Sequence, residues 1–378
     1  MTGNAPPAVR PVVTGVGVLS AAGSGLGALA EATAHGKAAF STVTRFDVSA
    51  RRTTRAALLP EPVALADAVL AAVDQACRQA GLPAAGGAGA PDGGAVPVLL
   101  ALHSDLRTRD VSAAVAAGAA RAWGVAGVTR VYTGACVAAG TAVADAAALV
   151  ATGRHPRVLV AAGHLVEPGV FAAFDAGRAL ARDGELRPFS AGRSGTLLGD
   201  AAAAVVVEAE PAAERRGAPV LARLAGWGRT GDAHHVCRPE PDGDGAARAV
   251  EAALARAGVT PAEIGYVNAN GTGSPLADRA EASALRRVFG PHAERLPVSS
   301  SKSVHGHALE ASALLELAVT IAALRDGRLP VNAGWLGPDP DVAVDLVLDG
   351  PRAARPHYAL TLNSAFGGAN TALLVAAR

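Results

Sequence analysis

Lysine is almost missing from this chain. Only Lys37 and Lys302 occur in 378 residues, and arginine supplies the other positive charges, a bias that reflects genome composition. A lysine in a polar cluster is therefore informative, and Lys302 stands in one. Aromatic side chains make up 3%, so the core must be assembled from alanine, glycine and valine in closely approaching helices and strands. That suits a layered α/β fold. Charge of one sign is lacking too: 34 basic residues meet 33 acidic ones, and a net charge of +1 gives no field to hold nucleic acid or an anionic membrane surface. Neither partner is expected. The three cysteines, Cys77, Cys136 and Cys237, are too scattered for a disulfide framework or a CxxC metal site, and they fit a reducing cytoplasm. Long apolar runs are absent: residues 1–13 lack the pattern of a secretory leader, and the longest candidate, 135–151, is interrupted by Asp145 and reads as a buried helix.

What is present is a hydrophobic fraction of 50%, enough for one large domain or two ordinary ones. Residues 11–20 read as a strand entering a glycine loop, and helical spacing follows over 26–36 and 63–81. A Gly/Pro/Ala-rich link at 85–92 leads to a strand at 96–102. Then come a helix at 111–123, a strand at 128–133, a long helix at 135–153 and a strand at 157–162, which is βαβ alternation. The theme returns with strands at 202–208 and 264–269, helices at 245–258, 277–289 and 310–325, and closing strands at 359–363 and 371–376. Two halves, 1–210 and 211–378, are expected to form one compact, duplicated unit, although the repetition is architectural and not visible as repeated sequence.

Four segments are candidates for chemistry. In Thr133-Gly-Ala-Cys136-Val-Ala-Ala-Gly140 a strand meets a small-residue helix, which places the thiol near a helix N-terminus. Unpaired N–H groups and the helix dipole favour a thiolate there; a plain buried cysteine is the alternative. Ser299-Ser-Ser-Lys302-Ser-Val-His305-Gly306-His307 reads as a polar loop between a strand and a helix. His307 suits a donor or base beside a thioester, and Lys302 can form a charge network with Glu316 on the next helix. Asn363-Ser-Ala365-Phe366-Gly367-Gly368-Ala-Asn370 puts a glycine pair between two apolar strands, as a tight hairpin does. Asn268 to Pro275 ends a strand in another glycine-rich turn.

Six segments in register resemble the β-ketoacyl-acyl-carrier-protein synthases, the ketosynthases of the thiolase superfamily. They are residues 13–20, the Cys136 segment, 188–200 with Arg193, Gly195, Gly199 and Asp200, then 265–275, 302–307 and 363–370. The resemblance implies a thiolase-like fold, two similar α/β halves packed as a layered αβαβα unit. It also implies a Cys-His-His constellation, in which the cysteine is acylated from a carrier protein while both histidines assist decarboxylation of a malonyl-type extender and stabilise the enolate.

Cys136 and His307 match that constellation. The first histidine position holds Asn270, whose amide can donate a hydrogen bond but can neither titrate nor carry charge. Cys136 and Phe366 would supply the backbone N–H groups of an oxyanion hole, with Ala365 and Gly367 beside them at the gate. His305 occupies a position that is usually small in the family; it either replaces the lost imidazole in part or is a satisfied loop histidine. The stretch 101–130, whose counterpart contributes to the dimer interface and acyl tunnel, is shorter here, and the closing turn is one residue shorter.

The expected partners are an acyl carrier protein, which brings its own phosphopantetheine so that no further cofactor is needed, and a second ketosynthase-like subunit in a homodimer or heterodimer. The expected enzyme is a discrete cytoplasmic acyltransferase of polyketide or fatty-acid-type biosynthesis. Decarboxylative condensation and non-decarboxylating transfer from Cys136 both remain open. A chain-length-setting partner subunit usually lacks the reactive cysteine, and thiolase-like chemistry usually needs a second cysteine near the C-terminus.

Overall fold

The computed structural model describes residues 9–86 and 96–378. Most of the expected link at 85–92 and the first eight residues lie outside that range. In chain order the main elements are β1 (Pro11–Ser20), α1 (Leu26–Ala34), α2 (Leu65–Gln79), β2 (Val98–Ala101), α3 (Thr108–Trp123), β3 (Val128–Tyr132), α4 (Ala138–Ala151), β4 (Arg157–His164), α5 (Pro168–Ala176) and β5 (Ala201–Ala209). There follow β6 (Ala222–Gly231), α6 (Asp244–Ala257), β7 (Ile264–Asn268), α7 (Pro275–Phe289), β8 (Pro297–Ser299), the single turn α8 (Lys302–His305), α9 (Ser312–Asp326), β9 (Asp345–Leu346), β10 (Tyr358–Ser364) and β11 (Ala369–Ala376).

Eleven strands run edge to edge in the order β9-β8-β7-β10-β11-β6-β1-β5-β4-β2-β3. Apart from the edge strand β9, the halves repeat one another strand for strand. In the first, β3, β2 and β4 are parallel and β5 and β1 follow antiparallel. In the second, β8, β7 and β10 are parallel and β11 and β6 follow antiparallel. The two first strands meet at the centre, where Val12 pairs with Arg223 and Val13 with Ala222.

Three apolar clusters fill the spaces between layers: α2 and α3 cover one outer face, α6 and α7 the other, and α4 and α9 lie between. β5 shows why such strands read as unbroken apolar runs. It is covered by helices on both faces, so its Ala-Ala-Ala-Ala-Val-Val-Val run needs no polar alternation.

The duplication has a residue-level mark. A Cβ on Gly15 or Gly17 of β1 would lie 2.0 or 1.8 Å from the carbonyl oxygens of Ala76 and Ala72 on α2. On Gly226 and Gly228 of β6 it would lie 2.1 and 1.9 Å from those of Ala253 and Ala249 on α6. Each first strand thus holds a Gly-x-Gly pair under an alanine pair four residues apart. β6 is not evident from the sequence because its three glycines look like turns, nor is α5 because it is short. No helix among the described residues is long and apolar enough to cross a membrane.

Candidate active site

The duplication brings the chemistry together. Parallel α/β sheets present their functional loops at the carboxyl ends of the strands. α4 follows β3 as α9 follows β8, and these two helices pack on each other in the central layer with a turn of 3-10 helix at the start of each, Ala135–Val137 and Leu309–Ala311. Cys136 lies in the first turn and His307 just before the second. Positions 171 residues apart therefore meet, with Cys136 Sγ 3.1 Å from His307 Nε2. Ala135, immediately before Cys136, has φ +50, a left-handed backbone that costs an L-residue on the order of 1–2 kcal/mol.

His307 is fixed from two sides. Its backbone N–H donates to Leu197 O at 2.7 Å and its carbonyl accepts from Gly199 N at 3.0 Å, so the 188–200 segment holds the histidine in place. Gly199 must be glycine: a Cβ there would lie 2.3 Å from His305 O. At the ring, Nδ1 is 2.9 Å from Ser312 Oγ. A neutral ring that accepts from the thiol at Nε2 carries its proton on Nδ1 and donates it to that hydroxyl.

The expected standing thiolate is not what the site holds. Burial, and after it the negative charge of Glu310, push the Cys136 thiol up to about 12, against the pull of Lys302 and the cysteine's own N–H. Burial and the Lys302 charge hold His307 well below its ordinary value. Both shifts favour a neutral thiol beside a neutral imidazole, since at Cys136 desolvation outweighs the Lys302 charge and the residue's own N–H.

Lys302 is fully buried and lies in a helical turn, not in the expected loop. Its ammonium stands 2.5 Å from Glu316 Oε1 and donates to Asn270 O at 2.8 Å and to Asn270 Oδ1 at 3.1 Å. Since an ammonium can only donate, it fixes the amide with Oδ1 toward the lysine and leaves Nδ2 as the outward donor. Glu281 on α7 clamps the same residue from behind, accepting from the backbone N–H of Asn270 at 2.7 Å and of Gly271 at 2.8 Å. Glu316 Oε2 accepts from Asn363 Nδ2 at 2.6 Å, which ties the lysine to the closing hairpin. Burial raises the Glu316 carboxyl to about 7 even against Lys302.

His305 has no free nitrogen. Its Nδ1 donates to Gly306 O at 2.8 Å, and its Nε2, 3.1 Å from Ser301 Oγ, is left to accept from that hydroxyl. Burial and Lys302 bring its pKa down to about 3. It is a satisfied structural histidine and does not replace the imidazole missing at position 270.

The closing turn packs Ala365 against the cluster that contains Cys136, and Phe366 is 54% exposed, with its ring 5.8 Å from that of Phe174 on α5. The backbone N–H groups of Gly367 and Gly368 are bonded, to Val236 O and Ala365 O. Those of Cys136 and Phe366 make no backbone–backbone hydrogen bond among the described residues, and that of Cys136 faces its own sulfur.

Several buried polar groups around the site gave no sequence signal. Besides Ser312 and Glu281, Glu310 reaches from the turn before α9 to His103, after β2, and to His164, at the end of β4. Only the fold unites them. Burial alone would raise Glu310, but the two histidines bring it down to about 2.

Family models for the N-terminal and C-terminal domains of β-ketoacyl synthases match residues 64–213 and 221–335. Nodulation protein E of Rhizobium meliloti is 38% identical over 253 residues, 66% of this chain and 62% of that protein. A 3-oxoacyl-[acyl-carrier-protein] synthase 2 of Staphylococcus aureus is 36% identical over 207 residues, 54% of this chain and 51% of that one. The match thus spans between half and two thirds of these relatives' lengths. Among solved structures, the ishigamide ketosynthase/chain length factor superposes with a TM-score of 0.89 at 26% identity, over 98% of this chain and 100% of that one.

Proposed function

Because this chain belongs to the β-ketoacyl synthase family, we propose that it takes an acyl group from an acyl carrier protein onto Cys136 and condenses it with a malonyl-type extender. The observation that carries the proposal is the 3.1 Å approach of Cys136 Sγ to His307 Nε2 beside two backbone N–H groups that have no backbone partner among the described residues. As the acyl thioester arrives, the thiol proton passes to His307 and sulfur attacks the carbonyl. The developing oxyanion is held by the N–H groups of Cys136 and Phe366, and the departing carrier thiolate takes the proton back.

In the second half-reaction the extender loses carbon dioxide, and its enolate oxygen receives hydrogen bonds from His307 Nε2 and Asn270 Nδ2. Ser312 serves both steps, since its hydroxyl accepts from Nδ1–H in the first and, once water has exchanged the ring proton from Nδ1 to Nε2, donates to Nδ1 in the second. The enolate carbon attacks the Cys136 thioester, the C–S bond breaks, and the leaving thiolate takes a proton from His307, which recovers one from water. The carrier's phosphopantetheine is the only prosthetic group this scheme needs. We place the halves at 1–210 and 211–378, the enzyme in the cytoplasm, and a second ketosynthase-like subunit, identical or not, at its side; the similarity to a ketosynthase/chain length factor supports such pairing.

A second reading is acyl transfer without decarboxylation. Asn270 cannot carry charge, and the negative charge of Glu310 near the thiol opposes an anionic extender. Incubation with acyl- and malonyl-loaded carrier proteins separates the two. Carbon dioxide and a β-ketoacyl carrier support condensation; an acyl adduct on Cys136 with no carbon dioxide release supports transfer.

A further inference from the structure

His103, Glu310 and His164 form a second polar cluster on the same rim of the sheet. His103 Nδ1 donates to Glu310 Oε1 at 2.9 Å, and His164 Nδ1 stands 3.4 Å from Glu310 Oε2, an ion-pair distance without hydrogen-bond geometry. The side chains of His164 and Glu310 are 2% and 3% exposed, yet His164 Nε2 and Glu310 Oε2 have no hydrogen-bond partner among the described residues. Orphaning a buried polar atom costs about 1–3 kcal/mol, so two side by side call for a ligand group. The three residues do not converge as a metal-binding set.

His103 and His164 line a cavity of about 40 Å³ whose other walls include Leu65, Leu102, Val170 and the charged side chains of Asp105, Arg107 and Glu167. On the same measure a single water needs about 10–15 Å³, so the space holds a few waters or a small polar substituent. Glu310 is not in its wall but links His164 to Cys136, since it belongs to the turn, three residues after His307, that packs against both the turn of Cys136 and the strand of His164.

We propose that His164, backed by Glu310, is a recognition site for a hydrogen-bond donor, a hydroxyl or an amine, borne by the acyl group that Cys136 carries. The inference rests on the thioester reading above and adds a substrate class to it. The carboxylate keeps a proton on Nδ1 of the imidazole, so Nε2 is the acceptor. A donor substituent satisfies that nitrogen, whereas a plain methylene group leaves it buried and unpaired. Glu310 also stays negative with its partners, which favours a cationic amine over any anionic substituent.

The test is the rate of Cys136 acylation, followed by intact mass, for short carrier-linked acyl groups bearing a hydroxyl or an amine at successive carbons, each against the plain chain of equal length. At least one substituted chain should be preferred roughly tenfold or more by the wild type, the worth of one charge-assisted hydrogen bond. His164→Phe should abolish that preference, and Glu310→Gln should reduce it. Equal rates for all chains in the wild type would overturn the subsite while leaving the thioester intact, and so would a preference that survives in folded His164→Phe. No adduct from any chain would remove the thioester reading itself.

Discussion

At Cys136 two influences oppose each other. The start of α4 favours a thiolate, while burial and Glu310 disfavour it and prevail. Alkylation of this thiol by iodoacetamide should accordingly be slow at neutral pH and keep accelerating well above pH 9, because the reactive thiolate accumulates only as the pH approaches a value near 12. A rate that levels off below pH 8 would mean that the sulfur is already ionised in the free protein. Asn270 is the second residue where a single atom decides. Its amide donates one hydrogen bond but holds no proton to exchange. Asn270→His should raise carbon dioxide release from a malonyl-loaded carrier by tenfold or more, the lower part of the roughly 10²–10⁴-fold range of general acid–base effects being tempered by the Lys302 charge 3.1 Å away. Unchanged release with intact Cys136 acylation would separate position 270 from the enolate step.

Among the elements, β1 and β6 are the most constrained. Both Gly-x-Gly pairs lie under a helix backbone, and an added methyl group at Gly17 or Gly228 would sit within 2 Å of a carbonyl oxygen. Gly17→Ala and Gly228→Ala should each lower the unfolding free energy by about 3 kcal/mol or more, whereas Gly231→Ala on the same β6, with nothing within 4 Å, should cost less than about 1 kcal/mol. Denaturant titration of the three variants measures this, and equal small effects would mean that helix and strand separate easily.

These pairs also mark the limit of reading the chain by eye. β1 was legible because its first glycines interrupt a β-branched run, but β6 has only alternating burial and three glycines, a pattern that resembles loops. The start of α4 was legible from small residues after a strand. The 3-10 turn that carries Cys136 was not, because it depends on packing against its counterpart before α9.

For the molecule as a whole, duplication explains how the site forms. Two equivalent helices in one central layer bring Cys136 and His307 together, and the ends of β7, β8 and β10 bring Asn270, Lys302 and Asn363 to the same rim. A polar cluster made Lys302 and His307 stand out in the sequence, and a strand running into a small-residue helix did the same for Cys136. Glu310, His103 and His164 were not readable, being separated by 61 to 207 positions, and only the folded sheet joins them.

The most direct test is intact-mass analysis after incubation with an acyl-loaded carrier protein, followed by peptide mapping of the wild type and Cys136→Ala. A single acyl increment on the peptide containing Cys136, lost in Cys136→Ala and slowed in His307→Ala, is the expected result. A wild-type protein that stays unmodified, or one acylated equally well without Cys136, would contradict the thioester role.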